Sequence, residues 1–290
     1  MKIQTFSIVA GTAVCNARCP FCISKMTPPQ GVTRLLPSEI HWRNFAKAAR
    51  LAQMNGVTTV LITGKGEPTL YPDETTEFLS HLKPYDFPLI ELQTNGLLFQ
   101  KPGYGEHLRN WYDLGLNTIA LSVVDWDSEK NREIYLPQAK EYPPLERTIG
   151  LLHEHRYSVR LSVTMVRGFV DTSCEVSRLV DLCRENKVEQ LTVRPVRRPA
   201  VSEDPDAHAW VSERGLTSEE IATLHQDVEK HATRLLSLAH GAVVYDYRGQ
   251  NLCLTDCLTL APSGEEIRTL IFFPDGKIRY DWQYPGAVIL

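Results

Sequence analysis

A chain of 290 residues has room for one large α/β domain or two small ones, and its 43% hydrophobic and 23% charged residues exclude a disordered polypeptide. A formal net charge of -4 excludes a broad basic face for polyanions, so a nucleic-acid site would need a local patch, and none is evident. No run of 18 apolar residues occurs, and the first fifteen residues are too short and too soon interrupted for a secretory signal, so a cytoplasmic protein without a membrane segment is expected.

In chain order, residues 6–13 read as a first strand, followed by a cysteine-rich loop and a proline-bounded segment. A helix follows over 38–56, with Ser38 as N-cap and Gly56 as C-cap. The alternation then recurs: strand 57–63, helix 73–82, strand 88–94, helix 106–115, strand 117–124, helix 143–155, strand 157–166, helix 172–185, strand 188–195. Six strands separated by helices predict parallel pairing, because parallel neighbours need a crossover of helix length.

One face of these strands is repeatedly polar. Arg160, Ser162 and Thr164 alternate with Val159, Leu161, Val163 and Met165. Glu91, Gln93 and Asn95 flank Leu92, Thr118 and Ser122 oppose Ile119, Leu121 and Val123, and Thr192 and Arg194 oppose Leu191 and Val193. A doubly wound sheet, covered on both faces, favours continuously apolar strands; a curved sheet with helices outside and a liganded lumen tolerates a polar side. The expected fold is therefore α/β, an incomplete (β/α)6 partial barrel.

Past residue 196 the pattern changes to a turn-rich segment, a long helix over 217–238 and two antiparallel hairpins, turning at 248–251 and 274–277. Residues 1–200 are read as the barrel core, and 201–290 as a C-terminal extension packed on it.

Seven cysteines form an odd set, and three of them fall in VCNARCPFC, as Cys15, Cys19 and Cys22. In a reducing compartment such a cluster points to metal or redox chemistry. A structural zinc site takes four protein ligands, so zinc would need a fourth from elsewhere, such as Cys253, Cys257 or a histidine. A four-iron cluster on three thiolates instead leaves one iron open to a small molecule. Cys174 and Cys183 lie nine residues apart on one predicted helix and point to opposite sides. No His-x-Glu, HExxH, P-loop or GxSxG motif is present.

The spacing Cys-x3-Cys-x2-Cys after a first strand, Phe21 before the last cysteine, TGKGEP at the end of the second strand, QTNG at the third and LSVVD at the fourth together resemble the radical S-adenosylmethionine (radical SAM) superfamily, over about residues 5–200. The resemblance implies a [4Fe-4S] cluster on Cys15, Cys19 and Cys22 whose open iron chelates S-adenosylmethionine. Reductive cleavage would then yield a 5′-deoxyadenosyl radical that abstracts hydrogen from a substrate. It implies Glu67 and the Gly66 backbone at the methionine ammonium, Phe21 against the adenine, and Asn95 and Ser122 as ribose or methionine partners. Arg160 or Arg194 would meet the methionine carboxylate or an anionic substrate. Lys65 departs from the family's Gly-Gly-Glu pattern and is expected either to point aside or to touch the substrate. The 267–282 segment is similar to the tail of molybdenum-cofactor enzymes in the superfamily, yet Tyr280 and Asp281 stand near the place of its third cysteine, so Cys253 and Cys257 are read as buried free thiols.

The three arginines of RPVRRP suggest a phosphate or carboxylate on the substrate, against the plainer reading of solvent-facing loop charge. A small anionic metabolite or nucleotide is the expected substrate, with a protein reductant such as flavodoxin or ferredoxin. The alternatives are a peptide-modifying or enzyme-activating member of the superfamily, and a non-catalytic zinc or iron-sulfur protein.

Overall fold

The computed structural model describes all residues except 1, 30, 33–38, 137, 197, 200, 239–240 and 256–265. Eleven strands form one sheet among the described residues. They are β1 Lys2–Val9, β2 Thr59–Thr63, β3 Leu89–Thr94, β4 Thr118–Val123, β5 Ser158–Met165, β6 Gln190–Pro195, β7 Thr233–Ser237, β8 Val243–Tyr247, β9 Gln250–Leu254, β10 Glu266–Phe272 and β11 Ile278–Arg279. The helices are α1 Ile23–Met26, α2 Trp42–Met54, α3 Pro72–Leu82, α4 Tyr104–Asp113, α5 Ser128–Tyr135, α6 Leu145–Glu154, α7 Ser173–Glu185, α8 Pro205–Arg214 and α9 Ser218–His231.

The strand order is β11-β10-β1-β2-β3-β4-β5-β6-β9-β8-β7, and β1 to β6 are mutually parallel, as the helical crossovers require. The two C-terminal hairpins continue this sheet at its two edges: β10 pairs parallel with β1, and β9 pairs parallel with β6. Eight consecutive strands thus run parallel, with antiparallel β11 on one side and β8 on the other.

The main core lies on the helix-covered face, and Val9, Val32, Ile271 and Phe273 form a smaller buried cluster of their own. Val159, Leu161, Val163 and Met165 of β5 are fully buried with Leu92, Ile119, Leu191 and Val193, against Phe45, Phe78, Leu108, Trp111, Ile149 and Leu179 from α2, α3, α4, α6 and α7. The opposite face carries the polar set read from the sequence. An α/β sheet with helices outside and a polar concave side is a partial barrel.

Three boundaries differ from the sequence reading. The first strand ends at Val9 because Gly11 turns the chain at φ +72°. Ser38 lies outside the described residues, and the N-cap of α2 is His41. The helix expected to reach residue 238 stops at His231, and Thr233–Ser237 pairs antiparallel with β8 instead, because an edge ladder satisfies backbone groups that helical periodicity alone left unassigned.

Candidate active site

The cysteine loop leaves the C-terminal end of β1. Its entry is locked by the Gly11 N–H, which donates to Glu74 Oε1 at 2.8 Å, and by Thr12 Oγ1 against Tyr71 Oη at 2.5 Å. Gly11 must be glycine, since a Cβ there would fall 2.1 Å from the Tyr71 ring. Its exit is locked by the short α1, whose Lys25 and Met26 N–H groups donate back to the Cys22 carbonyl, and the middle is held by the Arg18 N–H on the Tyr135 carbonyl at 2.9 Å. Cys15 is exposed, and Cys19 and Cys22 are half-buried. Burial pushes the Cys15 and Cys19 thiols up, and the neighbouring thiols add to both rises.

The TGKGEP turn at the end of β2 packs beneath this loop. The Glu67 N–H donates to the Val14 carbonyl at 3.0 Å, and a Cβ on Gly66 would lie 2.0 Å from that carbonyl oxygen and 2.7 Å from the Thr12 one. Gly66 is therefore needed for backbone-to-backbone contact with the cysteine loop. The Glu67 carboxylate is buried and held by the protein: Oε1 accepts from Thr69 N–H, Thr69 Oγ1 and Thr94 Oγ1 at 3.0, 2.7 and 2.6 Å, and Oε2 accepts from Asn95 N–H at 3.0 Å. Burial raises its pKa and these four bonds oppose the rise. Oε2 accepts from a single donor, the Asn95 N–H.

Asn95 joins the same assembly from the end of β3. Its Nδ2 donates to Asn16 Oδ1 at 2.7 Å and lies 3.9 Å from Cys15 Sγ, while its Oδ1 accepts the Leu97 N–H at 3.1 Å in a tight turn completed by Gly96 at φ +71°. The turn and the site contact coexist. Phe21 sets its ring edge-on to Tyr135 and against Trp210, at 6.4 and 5.8 Å between centroids. Ser122 sits on the polar face beside Ser162.

The two barrel arginines have different surroundings. Arg160 reaches across Ala120 of the intervening β4 to grip Glu91 with two prongs, Nε to Oε2 at 2.8 Å and Nη2 to Oε1 at 2.5 Å, and adds Thr192 Oγ1 at 3.3 Å. Its fork is filled. Arg194 donates no hydrogen bond to any described residue, and burial followed by the Arg160 charge pulls its pKa down to about 10. Tyr135 is buried beside the cysteine loop, taking the Arg18 N–H on its carbonyl and the Phe21 ring edge-on.

Lys65, the departure from the glycine pair, points aside: its Nζ donates to Thr27 Oγ1 at 2.6 Å and to the Pro28 carbonyl at 3.1 Å. Sequence reasoning missed three features: the burial of Lys65, the Glu91 partner of Arg160, and Tyr135. Only Glu91 left a signal, as an acid on the same strand face as the arginine.

Among the described residues no three His, Cys, Asp or Glu side chains lie close enough to hold a single metal ion. Thiolates of a [4Fe-4S] cluster bind different irons and stand wider apart, so the three-thiol loop suits a cluster better than tetrahedral zinc. Cys253 lies on β9 beside Thr192, and Cys257 lies outside the described residues. Cys183 is buried and Cys174 exposed, on opposite sides of α7.

The profile of the radical SAM superfamily matches residues 9–183. A GTP 3′,8-cyclase of Chlorobaculum tepidum is 27% identical over 189 residues, 64% of this chain and 51% of that protein. A dual-specificity RNA methyltransferase RlmN of Desulfosudis oleivorans is 27% identical over 196 residues, 63% of this chain and 50% of that protein. The chain spans about half the length of these curated relatives. Among solved structures, Streptococcus suis SuiB bound to S-adenosylmethionine superposes with a TM-score of 0.57 at 18% identity, covering 96% of this chain and 58% of that one. Native anSMEcpe with bound AdoMet gives 0.59 at 13% identity, covering 97% and 75%. A profile match across more than half of the sequence, centred on the cysteine loop and the parallel sheet, places the chain in the radical SAM superfamily, the enzymes whose cofactors are a [4Fe-4S] cluster and S-adenosylmethionine.

Proposed function

We propose that this chain cleaves S-adenosylmethionine reductively and abstracts hydrogen from a small anionic metabolite or nucleotide held in the lumen. Cys15, Cys19 and Cys22 would hold the cluster, which would supply the one-electron reduction that splits the sulfonium into methionine and the deoxyadenosyl group that takes the substrate hydrogen. Glu67 Oε2 orients the methionine ammonium, Asn95 and Ser122 line the ligand path, and Phe21 covers the adenine. The half-barrel excludes water and competing hydrogen donors around the radical. A low-potential one-electron protein such as flavodoxin or ferredoxin supplies the reductant. Clustered unpaired thiols fit a reducing compartment such as the cytoplasm. No described helix is long and apolar enough to cross a membrane.

The observation that carries the substrate class is Arg194, a guanidinium on the lumen face with no hydrogen-bond acceptor among the described residues, next to an Arg160 already saturated by Glu91. A half-buried guanidinium with no described acceptor is complementary to a phosphate or carboxylate. The GTP 3′,8-cyclase among the relatives carries a polyanion in its name, which supports the same class.

The test is anaerobic reconstitution with iron and sulfide, followed by chromatography for 5′-deoxyadenosine with and without a reductant. Reductant-dependent formation of the nucleoside is expected. Tight zinc binding with no nucleoside would refute the reading.

A further inference from the structure

Lys65 is one of the few charged side chains buried on the described chain, and its surroundings are unusual. It is 6% exposed, it forms no ion pair with any described carboxylate, and its two hydrogen bonds go to neutral oxygens, Thr27 Oγ1 and the Pro28 carbonyl. Thr27 Oγ1 in turn donates to the Ile23 carbonyl at 2.9 Å, which ties the ammonium to the helix that starts directly after Cys22. The Trp282 ring, 5.9 Å from Nζ, closes the far side. On the backbone side, Gly66 directly after Lys65 abuts the Val14 carbonyl, the residue before Cys15. A buried cation is costly unless an anion accompanies it, and no described protein group supplies one here.

We propose that Lys65 is the counter-charge of the cluster: its ammonium, fixed by Thr27 and Pro28 at the end of the helix that follows Cys22, stabilises the reduced, more negative cluster and raises its reduction potential. The inference rests on the radical SAM reading. A cluster with three thiolate ligands is anionic in its oxidised form and gains a further negative charge when a one-electron donor reduces it, so a fixed cation nearby favours the reduced form. Charge and hydrogen bonding around a cluster are general determinants of its potential. The alternative role for Lys65 is mechanical, a clamp on Thr27 that holds α1 in place.

Potentiometric titration with dithionite, read by electron paramagnetic resonance on the reconstituted full chain, separates these roles. Iron per chain and circular dichroism are measured on the same samples. K65M removes the charge at similar volume, K65Q removes it while keeping a donor for Thr27 or Pro28, and T27V keeps the charge but breaks one bond. The expected result is wild-type iron content in all three. At fixed potential the ratio of reduced to oxidised cluster should fall at least tenfold in K65M and K65Q, a shift of about 59 mV for one electron, with T27V close to wild type. Unchanged potentials in K65M and K65Q overturn the proposal. So does a T27V shift as large as theirs, or loss of iron by folded K65M and K65Q alike, since either assigns Lys65 to the clamp. A wild-type chain that takes up no cluster at all refutes the radical SAM reading itself, and this inference with it.

Discussion

Glu67 is the point at which the ends of β2 and β3 and the cysteine loop are joined, and replacing it by glutamine tests that joint with minimal change of shape. The carboxylate accepts four protein hydrogen bonds, three on Oε1 and one on Oε2, all in a buried setting. A glutamine keeps at most three acceptor contacts, because its NH2 must face either the Asn95 N–H or the three donors around Oε1. The less damaging orientation loses one charge-assisted bond, about 1.5–3 kcal/mol, and orphans the Asn95 N–H at a further cost of about 1–3 kcal/mol. The remaining three bonds weaken as the charge disappears. The expected destabilisation of the cluster-free chain is about 3–5 kcal/mol, a fifth or more of an ordinary domain's stability of about 5–15 kcal/mol. With a urea slope of about 3 kcal/mol per molar, the unfolding midpoint falls by about 1 M or more. Because Asn95 also bonds Asn16, iron loading falls alongside stability. E67Q within about 0.5 kcal/mol of wild type and with normal iron content would show that these bonds are not what fastens the loop.

Gly66→Ala drives a methyl group into the Val14 and Thr12 carbonyls, so iron content and the cluster absorbance should drop sharply while far-ultraviolet circular dichroism is retained; normal loading would contradict the close approach. Cys19→Ala should abolish cluster formation, and unchanged iron and absorbance would remove Cys19 from the ligand set. Arg194→Met should raise the KM for an anionic substrate at least tenfold while leaving reductant-driven 5′-deoxyadenosine release in its absence intact; an unchanged KM would strip Arg194 of its role. Lys65 has its pKa lowered by burial from 10.5 to about 8 in the metal-free chain. The folded state then binds fewer protons than the unfolded one between these values, so stability rises with pH across about 8 to 10.5, by about 3 kcal/mol at most. Thermal melts should show this rise in wild type and not in K65M, and parallel pH profiles would count against a buried ammonium.

Much of the fold was legible because it is written in two periodicities. The 3.6-residue pattern of α3, α4, α6 and α7 and the two-residue alternation of β3 to β6 both survive in the structure, and the polar strand face marked the lumen. The hairpin turns at Arg248-Gly249 and Asp275-Gly276 were readable because φ-positive glycines leave a local signal. The strand partners of those hairpins were not. That β10 lies against β1 and β9 against β6 depends on contacts more than 60 residues apart in sequence, to which no local periodicity refers. The same limit explains β7: RLLS carries helical and strand character equally, and only the ladder with β8 decides between them.

The site divides along the same line. Cys15, Cys19 and Cys22 were readable because their spacing on one loop is a local property, and Glu67 and Asn95 because each follows a strand directly. Arg160 and Arg194 look alike in sequence, since both alternate onto the polar face of neighbouring strands. Register is what separates them. Arg160 lies level with Ala120, whose short side chain lets it span β4 to Glu91, whereas Arg194 lies four residues nearer the C-terminal ends of the strands, level with Thr164, and meets no described carboxylate. One arginine thus holds the barrel's own strands together, and the other has no described acceptor, which is why the proposed anion site is placed at Arg194. A double substitution of Glu91 and Arg160 to glutamine and methionine would make the argument quantitative: it should cost stability without changing the KM for an anionic substrate, and a KM effect equal to that of Arg194→Met would return both arginines to the binding site.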